Sequence, residues 1–157
     1  MIAVLDNIRS VHNVGSIFRT ADGAGFEEIY LCGVTPTPVD RFGKLRGDFA
    51  KTALGAEKKV KWKYAPSTAR VLNTLKKEGW YIIALEQAKG SVSYRKVKIL
   101  KKQKEKTALV VGNEVKGIPK SVLKYADTIM EIPMRGKKES LNVSVSFGIA
   151  AYALADN

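Results

Sequence analysis

Short β-type runs alternate with helical segments along most of this 157-residue chain, and that alternation limits its fold more than any other feature. Residues 1–5 (MIAVL), 28–32 (EIYLC), 60–65 (VKWKYA), 80–86 (WYIIALE), 107–112 (TALVVG) and 128–134 (TIMEIPM) are strand candidates. They are rich in the Val, Ile, Tyr and Trp that suit a pleated, buried surface. Helical spacing falls at 14–25, 67–78, 119–126 and 144–156, with Ser67 suited to an N-cap and Pro119 to a first helical turn. Strand and helix in alternation predict an α/β domain: a mainly parallel sheet with helices on both faces. Neither an internal repeat nor a linker divides the sequence, so residues 1–157 read as a single domain.

Charge narrows the partner. Lys and Arg number 27 against 15 Asp and Glu, a net charge of +12. Such a surplus on a small domain favours a polyanion, nucleic acid before an acidic membrane surface. Cys32 is the sole cysteine and sits in an apolar run, which excludes an internal disulfide and suits a reducing compartment. No signal peptide precedes the first strand, and no apolar segment approaches the roughly 20 residues that span a bilayer. The expectation is a soluble cytoplasmic protein without a membrane partner. Two long loops carry cations. Residues 33–48 contain Arg41, Lys44 and Arg46; residues 87–106 contain Arg95, Lys96, Lys98, Lys101, Lys102, Lys104 and Lys106. The second is either a solvated charge run or an RNA contact, and the overall charge favours RNA.

Familiar phosphate signatures fail on inspection. GNEVKGIPKS begins like a P-loop, but Ile118 and Pro119 intervene between Gly117 and the Lys-Ser pair. DGAGFEE has two glycines at dinucleotide-binding spacing but no third, and it ends a helix rather than opening one. His12 is the only histidine, so no histidine-based triad or metal cage is indicated and it reads as a local turn residue. The stretch HNVGSIFRTADGAGF (12–26) is an amphipathic helix. At about 100° per residue, Val14, Ile17, Phe18 and Ala21 share a face and Arg19 lies opposite, with Asn13 placed to cap the N-terminus. Taken alone, Arg19 is the wet side of a surface helix.

Two further segments change that balance. VVGNEVKGIP (110–119) is a buried strand running into a glycine loop that carries Glu114. IPMRGKKESLNVSVS (132–146) is a strand end and cationic glycine loop, then Ser140 and Asn142 at the start of an apolar helix. Each has a plain account as turn glycines and helix caps. Yet ligands of open parallel sheets bind at such strand-end loops. Together with NVGSIFRTADGAGF (13–26), these segments resemble the three ordered motifs of the SpoU/TrmH family of S-adenosylmethionine-dependent RNA ribose 2′-O-methyltransferases, from about residue 2 to 155.

The resemblance implies a SPOUT-type fold with a C-terminal deep trefoil knot, which no pattern of residues would suggest. It implies a cofactor, S-adenosyl-L-methionine, held in the knot by three loops containing Leu85, Glu86 and Gly90; Gly112 to Gly117; and Ile132, Met134 and Leu141. No metal is implied. It implies a homodimer whose active site is completed across an interface built largely from the first helix and VSVSFGIAAYALA. Arg19 matches the catalytic arginine, ordered by Asn13 and Glu114, and Glu114 is expected to pair with Arg19; Ser140 and Asn142 match the third motif. A guanidinium stays protonated at neutral pH, so the role expected of Arg19 is to hold the adjacent RNA phosphate and stabilise the incipient alkoxide. Arg9, Arg41, Arg46, Arg135, Lys137, Lys138 and the 95–106 run are the expected RNA contacts. The expected substrate is tRNA, with ribosomal RNA as the alternative. A non-catalytic RNA-binding module of the same fold, or a base methyltransferase, is the reading from another class.

Overall fold

The computed structural model describes residues 1–156 without the side chains of Lys101 and Lys102; the RNA contacts expected of those two side chains, and Asn157, lie outside what is described. Among the described residues seven strands form one sheet in the order β3-β2-β1-β6-β4-β7-β5, and every pairing between these strands is parallel. They are β1 (Ile2–Asp6), β2 (Glu28–Cys32), β3 (Lys61–Ala65), β4 (Tyr81–Leu85), β5 (Val92–Ser93), β6 (Thr107–Val111) and β7 (Thr128–Glu131). The helices are α1 (Val11–Gly23), α2 (Gly47–Ala53), α3 (Thr68–Lys77), α4 (Lys101–Lys104), α5 (Lys120–Leu123) and α6 (Val143–Ala155).

Period-two alternation divides each central strand between two cores. Ala3, Leu5, Ile29, Leu31, Ile83, Leu109 and Val111 point to one face, under α1, α2 and α6. Ile2, Val4, Cys32, Ile82, Ala84, Ala108 and Val110 point to the other, packed with Leu72 and Leu75 of α3 and Val122 of α5. With both faces covered, β1 and β6 are buried along their whole length, as a parallel sheet requires. Helices therefore stand on both faces, as the alternation predicts. The Cys32 thiol lies in the second core, where burial pushes its pKa up to about 11 against a lowering contact from Thr68, with Asp6 adding to the rise.

Helix α1 begins at Val11, earlier than the apolar spacing suggests, because Ser10 is the cap: its Oγ accepts the Asn13 backbone N–H at 3.3 Å. Asn13 is thus not the cap, and its side chain is free to bond elsewhere. His12 lies in the first helical turn rather than in a loop. Val14, Ile17, Phe18 and Ala21 are buried and Arg19 is exposed, as the helical wheel predicts. Ser67 and Asn142 cap α3 and α6 through their side chains.

Two elements are shorter than the sequence suggests. Pro119 precedes α5 as its N-cap, and the helix proper ends at Leu123 as the chain tightens through Tyr125 N–H to Val122 C=O. Strand β7 stops at Glu131, ahead of Pro133, whose missing N–H ends a ladder. Both long loops hold structure: α2 begins at Gly47, inside 33–48, and β5 and α4 lie within 87–106.

Candidate active site at the ends of β4, β6 and β7

The C-terminal ends of β4, β6 and β7 open onto a crevice of roughly 400 Å³. Leu85 and Glu86 enter from β4, Gly112 to Val115 and Gly117 from the loop after β6, and Ile132, Met134, Ser140 and Leu141 from the loop after β7. Seven of the eight residues assigned from sequence to the cofactor line this crevice: Leu85, Glu86, Gly112, Gly117, Ile132, Met134 and Leu141. Gly90 does not; it occupies a turn with φ +87° before β5.

Two glycines are set by contact rather than by chain flexibility. A Cβ on Gly112 would stand 2.6 Å from the Gly117 carbonyl carbon, so the two limbs of the loop close backbone to backbone. Gly117 has φ +63°, and a Cβ there would meet Glu86 Oε2 at 2.3 Å. That carboxylate braces the crevice: Oε2 accepts the Ile118 N–H at 2.7 Å and Oε1 accepts the Gln87 N–H at 2.9 Å. Gln87 in turn donates to the Glu139 carbonyl at 2.8 Å, joining the loop after β4 to the loop after β7.

Glu114 holds the three motifs together. It accepts the backbone N–H of Arg9 at 3.1 Å and of Ser10 at 3.0 Å, and Asn13 Nδ2 at 3.1 Å. Asn13 Oδ1 then accepts Asn142 Nδ2 at 3.1 Å. Burial pushes the Glu114 carboxyl up, but the N–H donors of Arg9, Ser10 and its own residue, with Asn13, outweigh it and hold the group below its ordinary value. The expected Glu114–Arg19 pair is replaced by this network. Its donors are the exposed start of α1, whereas Arg19 lies nearly two turns further along that helix.

Arg19 stands outside the crevice of its own chain. It lines a separate concavity with Ser16, Thr20, Lys51, Thr52 and Tyr152, between α1, α2 and α6. Among the expected RNA contacts, Arg135, Lys137 and Lys138 are exposed on the loop after β7, and Arg9 is exposed beside Glu114. Arg41 and Arg46 line a third concavity, at the β2–β3 edge of the sheet, where Arg46 pairs with Asp48 at 3.2 Å. The 95–106 run is partly structural: Lys104 donates to the Ala155 carbonyl at 2.7 Å and Lys106 to the Glu78 carbonyl at 3.0 Å, closing helix C-termini.

Sequence reasoning missed Asn7, Gln87 and Asn113. Asn113 Nδ2 donates to the Asn7 carbonyl at 2.8 Å, while its Oδ1 accepts the N–H groups of Val115 and Lys116. An Asn just past a strand, four residues before Gly117, is placed for an Asx-turn in which its side chain accepts the N–H two residues on, a signal that could have exposed it. Asn7, in the left-handed region at φ +55°, gives only the weak sign of an Asn just past a strand. Among the described residues no cluster of His, Cys, Asp or Glu could hold a metal ion, and no helix is long and apolar enough to cross a membrane.

The model of the SpoU rRNA methylase family matches residues 1–152. The 23S rRNA (guanosine-2′-O-)-methyltransferase RlmB of Neisseria meningitidis is 32% identical over 95% of this chain and 55% of its own length. The tRNA (guanosine(18)-2′-O)-methyltransferase of Aquifex aeolicus is 33% identical over 97% of this chain and 67% of its own. An AdoMet-bound rRNA methyltransferase from Sinorhizobium meliloti superposes with a TM-score of 0.84 at 27% identity, covering 98% of this chain and 54% of that one. The chain thus spans little more than half the length of the ribosomal RNA relative. A matching family model over nearly the whole sequence and a shared parallel fold place it: the chain belongs to the SpoU rRNA methylase family.

Proposed function

We propose that the chain is an S-adenosylmethionine-dependent RNA methyltransferase acting on a ribose 2′-hydroxyl, working in the cytoplasm as a homodimer with a C-terminal trefoil knot. Transfer RNA is the favoured substrate, as for the Aquifex relative; ribosomal RNA is the second reading, because the Neisseria relative is named for it. One observation carries the proposal: the loops bearing the second and third motifs converge, with the end of β4, on a single crevice of roughly 400 Å³. That volume suits a cofactor-sized ligand.

The residues present fit S-adenosylmethionine. Leu85, Val111, Ile132, Met134 and Leu141 supply apolar wall for an adenine, and the close Gly112–Gly117 limbs leave room for backbone groups to approach it. When bound, the cofactor supplies an electrophilic methyl group on a sulfonium, open to in-line displacement by a sugar hydroxyl. The chain's own work is positioning and charge. Asn13, Glu114 and Asn142 fix the entrance of α1 against the second and third motif loops, while Ser140 lines the crevice as a hydroxyl partner for ribose or cofactor. Arg19 holds the RNA phosphate beside the target ribose and stabilises negative charge on the 2′-oxygen, whose proton passes to that phosphate or to water.

Because Arg19 lies outside its own crevice, it acts on the crevice of a second copy. Helix α6 supports this arrangement: its sequence VSVSFGIAAYALA carries no charge, and Val145 and Tyr152 are about half exposed (51% and 50%). An uncharged, half-exposed helix packed on α1 suits an interface between copies. The test separates binding from chemistry. Arg19→Ala should keep S-adenosylmethionine affinity by calorimetry yet lose at least about 100-fold in RNA methylation, the scale of one lost charge-stabilising donor. Unchanged methylation removes Arg19 from the mechanism.

A further inference from the structure

The loop between β2 and α2 is built around an aromatic side chain that it leaves in water. Asp40 Oδ1 accepts the N–H of Phe42 at 2.8 Å and of Lys44 at 3.0 Å, and the Asp40 N–H reaches the Lys44 carbonyl at 2.8 Å. Gly43, at φ +78°, completes the turn, and Val39 and Leu45 pair across its base. At the tip of this hairpin Phe42 is 78% exposed, with the Arg41 guanidinium 4.7 Å above its ring. Tyr64, on the outermost strand β3, is 54% exposed and lines the same concavity of roughly 550 Å³. One exposed ring is ordinary on a protein surface; two exposed rings, Phe42 and Tyr64, sharing a concavity with Arg41 and Arg46 on a hydrogen-bonded turn, mark a contact surface.

Its position selects the partner. The loop leaves the C-terminal end of β2, and Thr35 Oγ1 ties it to β1 by accepting the Ile8 N–H and donating to the Leu5 or Cys32 carbonyl. The platform therefore lies at the same C-terminal ends of the parallel strands as the crevice, displaced from β4, β6 and β7 towards the β2–β3 side of the sheet. Its carboxylates are engaged: Asp40 holds the turn, and Asp48 pairs with Arg46. Arg41 and Lys44 are left to meet a phosphate. Exposed rings between cations are the chemistry of single-stranded nucleic acid, since each base has a face to stack and each nucleotide a phosphate.

We propose that Phe42, with Arg41 and Tyr64, is a stacking platform for an unpaired base of the RNA, seating a loop or bulge whose strand continues to the crevice. This rests on the reading of the protein as an RNA methyltransferase. The test titrates wild type, Phe42→Ala and Phe42→Trp at one salt concentration with unfractionated tRNA and with a blunt RNA duplex. Phe42→Ala should weaken tRNA binding by about 5- to 150-fold, the worth of one stacked base. Phe42→Trp should restore it, and the duplex, bound through phosphates, should change by less than about twofold. Equal tRNA affinity for wild type and Phe42→Ala overturns the platform, as does equal loss on duplex and tRNA, or failure of tryptophan to restore binding. The two readings fail differently. A wild type that methylates RNA beside an equally active Phe42→Ala sinks the platform alone, and a wild type that binds neither RNA sinks both.

Discussion

Single atoms decide how the crevice is held. Gly117 leaves no room for a methyl group beside the Glu86 carboxylate and sits at positive φ, so Gly117→Ala combines a steric clash with a backbone penalty of about 1–2 kcal/mol. It should weaken S-adenosylmethionine binding by roughly tenfold or more, read by calorimetry, while leaving far-UV circular dichroism unchanged. Glu114 makes a different prediction. Its carboxyl lies below the ordinary value of 4.5 in the folded protein, so the unfolded chain takes up a proton first as pH falls. The stabilisation is whole above the unfolded value and is lost as pH drops through the folded one. Glu114 is exposed, so solvent screens its charge, and Glu114→Gln should cost about 1 kcal/mol or less at pH 7 and flatten the fall in denaturation midpoint below pH 4.5. A variant with the wild-type pH profile would show that the N–H donors of Arg9 and Ser10 do not need the charge.

At the scale of elements, the helix that carries Asn13 and Arg19 is seated by a glycine. A Cβ on Gly15 would stand 2.0 Å from Thr52 Oγ1 and 3.0 Å from the Phe49 carbonyl oxygen, so α1 and α2 meet at this point. Gly15→Ala should destabilise the fold by about 1–3 kcal/mol, as overpacking does. Adding Thr52→Ala should recover part of that loss in urea denaturation, because the nearest atom is removed while the carbonyl stays. These elements were legible to different degrees. β2, with its EIYLC run, matches residue for residue, since buried parallel strands read as continuous apolar runs. α2, in GDFAKTA, was invisible because the flanking Pro and Gly punctuation hides a seven-residue helix held mainly by Phe49. Asn13 shows the limit at the site: its caplike position was plain, but only the tertiary fold brings Glu114 and Asn142 to it. Arg19 was legible as a polar residue opposite an apolar stripe. Its separation from the crevice was not, because distance across a fold leaves no trace in local spacing.

For the whole molecule, charge and topology act together. A net charge of +12 favours a polyanionic partner for the molecule as a whole, while the parallel sheet gathers the motif loops at the C-terminal ends of its strands. Affinity should therefore fall steeply with salt, by an order of magnitude or more between about 50 and 200 mM if several phosphates are neutralised. An RNA affinity nearly flat across that range would contradict the cationic surface.

Incubating the protein with methyl-labelled S-adenosylmethionine and total RNA, then digesting the RNA to nucleosides, tests the central claim most directly. The label should appear in 2′-O-methylated nucleosides, enriched in the tRNA fraction and lost with Arg19→Ala. Label in methylated bases, or none in any RNA although the cofactor binds, would contradict the account.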